Sequence, residues 1–329
     1  MKKLMFLLLV AVLVVIPATA VAGGPGGKDG NILRVPDDYA TIQEAVDAAD
    51  PGDTILVGPG EYAGAIVNEA VHIQATGIVV INDGPNSHSF LRAGFLFPGE
   101  GAGSGSTIRG FRFEGAPQYS YVDDDHLDFP IFSRGASDVT IEHNVLVNSL
   151  QAITNWSGSG WDICHNTIEG LWTLNGGGIG IFIGDNQAVP EGVKDNTVSH
   201  NRISGILNVL PSDGGGYCGT GIVLYADFRG SRLGAVEIAD NRIVHNKVSL
   251  TSDTPEVVDV VAIELTDSRD DPLLDPVIFD NAVGFNDLRD TVVTIALTPA
   301  SLDECNDISR NLGHDRGQGL HPSAFGPGS

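Results

Sequence analysis

Cysteine is nearly missing from this chain: Cys164, Cys218 and Cys305 are the only three in 329 residues. An odd count allows at most one disulfide, so a disulfide-built scaffold is excluded and the pairing stays open. No Cys-x-x-Cys occurs and the spacings suggest no clustered zinc site, so the three read as small buried apolar residues. Lysine is scarce too; after Lys2 and Lys3 only Lys28, Lys194 and Lys247 occur. With 18 basic against 42 acidic residues the formal charge is -24. So acidic a surface argues against nucleic acid as a partner, because phosphate binding needs a basic face. It would also repel an anionic polysaccharide unless a cation or local arginines intervened. The same charge favours solubility and suits Ca2+ capture or a salty medium.

Long apolar runs are absent with one exception. Leu4 to Ile16 is continuously apolar behind Lys2 and Lys3, Pro17 breaks it, and Ala20-Val21-Ala22 offers small residues for cleavage. The run of 13 residues is short of the ~20 a membrane span needs, so residues 1–22 read as a secretory signal peptide. The expected product is secreted or periplasmic, with no membrane span in the mature protein. Residues 23–31 are glycine-rich and read as a flexible lead-in.

What the chain has in abundance is a recurring asparagine motif. It reads Asn196-Thr-Val-Ser-His-Asn201, Asn241-Arg-Ile-Val-His-Asn246, Asn281-Ala-Val-Gly-Phe-Asn286 and Asn306-Asp-Ile-Ser-Arg-Asn311, with weaker copies at Asn144 to Asn148 and Asn166 to Ile168. Short aliphatic strands between turn-forming asparagines, repeated, mean a solenoid. Counted on Asn144, Asn166, Asn196, Asn241, Asn281 and Asn306, the intervals are 22, 30, 45, 40 and 25 residues. The surplus in the longer coils falls between the motif and the next aliphatic strand, at one side of the rod. Ahead of the strands, Thr41 to Asp50 reads as one helix with a Thr41/Glu44 capping box and an apolar face of Ile42, Ala45, Val46 and Ala49. It is placed to cover the open first coil. The expectation is an all-β, single-stranded right-handed parallel β-helix over residues 32–313 with this short capping helix, and a flexible tail at 314–329.

The stretch Thr41-Ile-Gln-Glu-Ala-Val-Asp-Ala-Ala-Asp-Pro-Gly-Asp-Thr-Ile-Leu-Val-Gly-Pro-Gly-Glu-Tyr62 resembles the opening of right-handed parallel β-helix proteins of the pectate-lyase-like superfamily. The asparagine units resemble that superfamily's repeats. The resemblance covers about residues 32 to 313 and implies fold far more than function, since the superfamily holds lyases, hydrolases, epimerases, adhesins and surface proteins.

Asparagine tolerates left-handed turns, and its amide can bond the equivalent amide one coil away, so the asparagines read as stacked ladders. His143, His165, His200 and His245 each precede an asparagine. Aligned on the first asparagine of each motif they fall in different columns. The first column then runs His143, His165, Asp195, Asp240, Asp280 and Cys305, which reads as solvated turn residues and not as a metal column.

The resemblance implies that chemistry, where present, sits on an outer face of the rod. The ends of the second aliphatic strand in each coil carry Arg134, Asn155 with Trp156, Asp185 with Asn186, Tyr225 with Asp227, and Asp267 with Arg269. If the coils stack in register these form a groove. Asp185, Asp227 and Asp267 are the candidate acid, base or metal ligands, with Arg134 stabilising charge. Acids on neighbouring coils could reach the ~5–9 Å separations of glycoside hydrolysis. Trp156 and Tyr225 offer flat faces for a sugar ring, and Asn155 and Asn186 offer hydrogen bonds. Asp123, Asp124 and Asp125, in a loop with His126 and Asp128, are candidate Ca2+ ligands or acid–base groups. Turns are rich in Asp and Asn for structural reasons as well. Scarce lysine disfavours a lysine-based lyase and leaves an arginine-based, Ca2+-assisted one open. Neither the polygalacturonase nor the pectin-esterase motifs are found. Three readings follow: a carbohydrate-active enzyme, a non-catalytic glycan-binding protein using the same groove, or a structural or accessory exported protein.

Overall fold

The computed structural model describes residues 30–88, 91–116, 126–173, 177–185, 187, 189–209, 219–227, 237–255, 260–268 and 277–314. The expected leader, most of the expected lead-in and nearly all of the expected tail lie outside them, as do Asp123, Asp124, Asp125, Asn186, Cys218 and Arg269.

The described chain winds into a parallel β-helix. The first sheet has ten strands, from Ile32–Val35 through Thr54–Val57 to Asp307–Ser309, each paired in parallel with the strand one coil away. The second has seven strands, ending at Arg202–Val209 and Lys247–Ser252. The third runs from Ala65–Ile66 through Phe129–Arg134, Gln151–Trp156, Ile179–Asp185, Gly219–Ala226 and Val260–Asp267 to Val293–Thr298. A short fourth sheet joins Val193–Lys194, Ile238–Ala239 and Ile278–Phe279.

Register turns a repeated sequence into a core. Leu33, Ile55, Ile73, Ile108, Ile141, Ile163, Val198, Ile243, Val283 and Ile308 form one continuous row in the first sheet. All are buried. Ile131, Ile153, Ile181, Ile222, Ile263 and Ile295 form the facing row of the third. Each such side chain contributes about 1.5–3 kcal/mol on burial. Strand alternation sends the residues between them outward.

The capping helix is Ile42–Ala48, with Thr41 and Glu44 forming the reciprocal box. Ile42, Ala45 and Val46 are buried, and Ala49 packs against the core from its margin. The Gln43 amide is bound to both backbone groups of Ile66, at 2.7 and 3.3 Å, which fixes the helix over the first coil. Asp53 accepts the N–H groups of Asp50 and Asn31, at 2.9 and 2.7 Å, and these hold its carboxyl below its ordinary value.

The asparagines form two buried ladders. One runs Asn144, Asn166, Asn201, Asn246, Asn286, Asn311, amide to amide at 2.9–3.1 Å. The other runs Asn155, Asn196, Asn241, Asn281, Asn306 at 2.8–3.3 Å. In both, an amide also donates to a backbone carbonyl one coil back, as from Asn201 to Ile163 and from Asn281 to Ile238. These partners correct the alignment made from sequence. Asn144 and Asn166 belong with the second asparagines of the later motifs, so the spacings along that ladder are 22, 35, 45, 40 and 25 residues. The expected column of His143 and His165 with Asp195, Asp240, Asp280 and Cys305 does not exist. His143, His165, His200 and His245 share one column, and Asp195, Asp240 and Asp280 stand before the other ladder. The local pattern around both kinds of asparagine is the same, and only coil-to-coil pairing separates them. Cys164 and Cys305 are free thiols. Burial first, then the Asp162 and Glu142 carboxylates, push the Cys164 thiol up to about 12.

Asn241→Ala should cost about 3 kcal/mol, because it leaves the buried amide of Asn196 without its acceptor and removes a partner of Asn281; urea midpoints at neutral pH measure it. Near the C-terminal end, Asp287 takes two bonds from the Arg289 guanidinium, at 2.8 and 2.9 Å. That pairing holds its carboxyl down to about 2, well below the usual carboxylate range. The pair therefore stabilises the fold above pH ~4 and is lost as pH falls through ~2. Arg289 is exposed, so solvent screening keeps the effect small. Asp287→Asn should lower the urea midpoint at neutral pH and make no difference in strong acid.

Candidate functional site at the outer face of the third sheet

The outer faces of the three main sheets are not alike. In the first and second sheets the outward residues are largely half-buried or exposed, whereas Ile179–Asp185, Gly219–Ala226 and Val260–Asp267 are buried along their whole length. The expected groove is thus a covered face, with its accessible part at Arg134, which is exposed, and Trp156, which is half-buried.

Register places Arg134, Trp156, Gly184, Tyr225 and Thr266 in one outward row. The row two residues earlier is Phe132, Thr154, Phe182, Val223 and Glu264. Trp156 and Tyr225, paired from sequence as sugar-stacking residues, do meet, at 6.2 Å between ring centroids. Phe182, not anticipated, packs against both, at 4.3 Å from Trp156 and 5.7 Å from Tyr225. Gly184 makes the space: a Cβ there would stand 2.7 Å from the Phe182 ring. Arg134 lies over the Phe132 ring at 5.5 Å, a cation–π contact at the mouth of this cluster.

The acids separate into different kinds. Asp185 accepts from the Ser157 hydroxyl at 2.7 Å and from the N–H groups of Gln187 and Val189 at 2.9 and 3.1 Å. It clamps the turn that leaves its strand. Asp227 and Asp267 are buried, 2% and 8% exposed, and lie on adjacent coils, since Asp267 pairs with Ala226. Coils repeat at ~5 Å along the rod, and Asp227 stands one residue past the position opposite Asp267. Asn155 points inward, heads the second ladder, and is bound to both backbone groups of Gly158 at 3.0 Å; its amide is committed to the coil.

Glu264 was passed over in the sequence. It is fully buried on the outward row, with Thr266 and Thr220 donating hydroxyls to its two oxygens at 2.7 and 3.0 Å. The available signal was a glutamate inside the aliphatic strand Ala262-Ile-Glu-Leu265, at the outward step of the alternation. At the opposite margin His126 Nε2 lies 3.3 Å from Asp128 Oδ1, and Asp128 Oδ2 accepts the Arg92 N–H at 2.8 Å. Among the described residues no group of three or more His, Cys, Asp or Glu gathers as a metal cage. The candidate Ca2+ ligands Asp123, Asp124 and Asp125 lie outside those residues, as do Asn186 and Arg269. No described helix is long and apolar enough to cross a membrane.

No family model matches this chain, and no curated protein matches it. Among solved structures, the catalytic domain of a GH87 alpha-1,3-glucanase in complex with tetrasaccharides is similar at 13% identity and a TM-score of 0.36, over 88% of this chain and 69% of that one. At that level the likeness carries no argument about residues or substrate.

Asp185→Ala should cost about 1–3 kcal/mol in unfolding experiments, because it removes the acceptor of the buried Ser157 hydroxyl and of two partly buried N–H groups. A change smaller than ~0.5 kcal/mol would be a surface effect and would remove the clamp assignment.

Proposed function

We propose that the chain is an exported protein that binds extracellular polysaccharide at the outer face of the third sheet. The observation that carries this is the half-buried Trp156 braced by Phe182 and Tyr225 beside the exposed Arg134. A rigid aromatic face with a cation at its edge suits a sugar ring, whose apolar face stacks while its hydroxyls or a carboxylate meet the guanidinium. The charge of -24 favours a neutral glycan over a uronate, unless Ca2+ held by Asp123, Asp124 or Asp125 screens it. The basic start and apolar run of residues 1–22 support export.

One observation favours turnover as a second reading. Asp227 and Asp267 are buried carboxyls on adjacent coils, one residue out of register with each other, and glycoside hydrolysis uses two carboxyl groups. In that reading one acid protonates the leaving oxygen and the other acts as nucleophile or as the base that activates water. Asp185, tied to its turn, holds the loop.

The test is glycan binding and reducing-end release on a panel of neutral and uronate polysaccharides, with and without Ca2+. Saturable binding that falls at least tenfold in Trp156→Ala, and several-fold in Arg134→Ala, with both variants still folded, is the expected result. No binding by the native chain across the panel would remove the carbohydrate reading. Product release abolished by Asp227→Asn or Asp267→Asn would establish turnover; ultraviolet absorbance of unsaturated ends would make it an elimination.

A further inference from the structure

The column corrected above lies between the first and second sheets, on the side of the rod defined by turns and not by the third sheet. His143, His165, His200 and His245 stack in single file, with successive ring centroids 5.1, 5.0 and 5.2 Å apart and interplanar angles of 6°, 23° and 24°. Phe285 continues the file at 5.2 Å and Arg310 closes it, 5.1 Å over the Phe285 ring. Every member has a left-handed backbone, φ between 56° and 60°, and every member is exposed. Each is followed by an asparagine of the first ladder. The turns are therefore held in place by buried amides while the rings stand in solvent. Packing does not require imidazole here, because the positions are exposed and the left-handed turn suits asparagine better.

We propose that this histidine file binds first-row divalent transition metals, an ion being chelated between ring nitrogens of neighbouring coils. Imidazole nitrogen suits Zn2+, Ni2+ and Cu2+, and disfavours Ca2+ and Mg2+, which take oxygen ligands. Two nitrogens on one such ion stand ~3 Å apart, given M–N bonds of ~2.1 Å. Adjacent rings with parallel planes at about 5 Å reach that by tilting their outer edges together, and the broad terminal torsion of histidine permits it. The backbone order already present lowers the cost of capture. Water completes the coordination, in keeping with the lack of a three-residue cage among the described residues.

The charged surroundings rank the steps. Glu142 Oε2 lies 3.8 Å from His143 Nε2, which favours a cation at the His143–His165 step. Its other oxygen is engaged by Arg109 at 2.7 Å. Arg202 follows His200 by two residues, and Lys247 follows His245 by two, which disfavours the far end. Cys164, beside His165, is a buried free thiol. Because only neutral imidazole binds metal, acid releases the ion.

The experiment is equilibrium dialysis of the full chain against Ni2+ and against Zn2+ near neutral pH. Its comparison is the double variant His165→Asn with His200→Asn. That pair keeps the left-handed turns and leaves His143 and His245 without a histidine neighbour; single His165→Asn serves should the double variant fail to fold. The expected result is at least tenfold tighter binding by the native chain, insensitive to excess Ca2+ and lost on acidification. Equal affinity in native and variant chains, or displacement by Ca2+, would place the metal on carboxylates and overturn the proposal.

Discussion

The structure depends on the buried asparagine amide. A parallel coil stack repeats every ~4.8 Å, and at each turn the backbone leaves the sheets and has unpaired polar groups. The two ladders supply the missing partners: each side chain accepts from the coil behind it and donates to the next amide and to a carbonyl one coil back. Such groups buried without partners would each cost ~1–3 kcal/mol. Because the bonds run between coils and not along the chain, coil length is free. Spacings from 22 to 45 residues along one ladder are accommodated with no change in the stack.

That freedom divides the molecule. From Arg109 onward the turn between the first and second sheets keeps a two-residue length, so its side chains stand in register and stack as a file of rings. The surplus residues enter around the third sheet, whose strands are longer and whose outer face is covered. Regular columns therefore lie on one side of the rod and individual side chains with private environments on the other. The Trp156, Phe182 and Tyr225 cluster, the Glu264 carboxylate between two threonines and the Asp185 clamp all belong to the second kind.

The legible part of the fold came from period and spacing. Alternating aliphatics gave the strands, the Thr41 and Glu44 pair gave the helix start, and the repeated asparagines gave the ladders. The column assignment failed because Asn144 and Asn166 look locally like the first asparagine of the later motifs, and a side chain's partner across coils leaves no mark on its own neighbours. At the candidate site, Trp156 and Tyr225 were legible as aromatics at strand ends. Asn155 and Asp185 looked equivalent to Asp227 and Asp267, yet one points into the coil and the other is fully bonded to a turn. Phe182 read as one more core residue, because its outward direction depends on Gly180 and Ile181 both lying toward the core.

The sequence by itself determined that this is a coiled all-β rod with a helical cap, that its surface is strongly acidic, and which residues could line the strand ends. Those follow from composition and periodicity, which are local. Only the tertiary structure decided which asparagines share a ladder, that four histidines share a file, and that the third sheet's outer face is covered. Those follow from pairing between residues 22 to 45 positions apart, and the register of such pairing is set by packing and hydrogen bonds across coils.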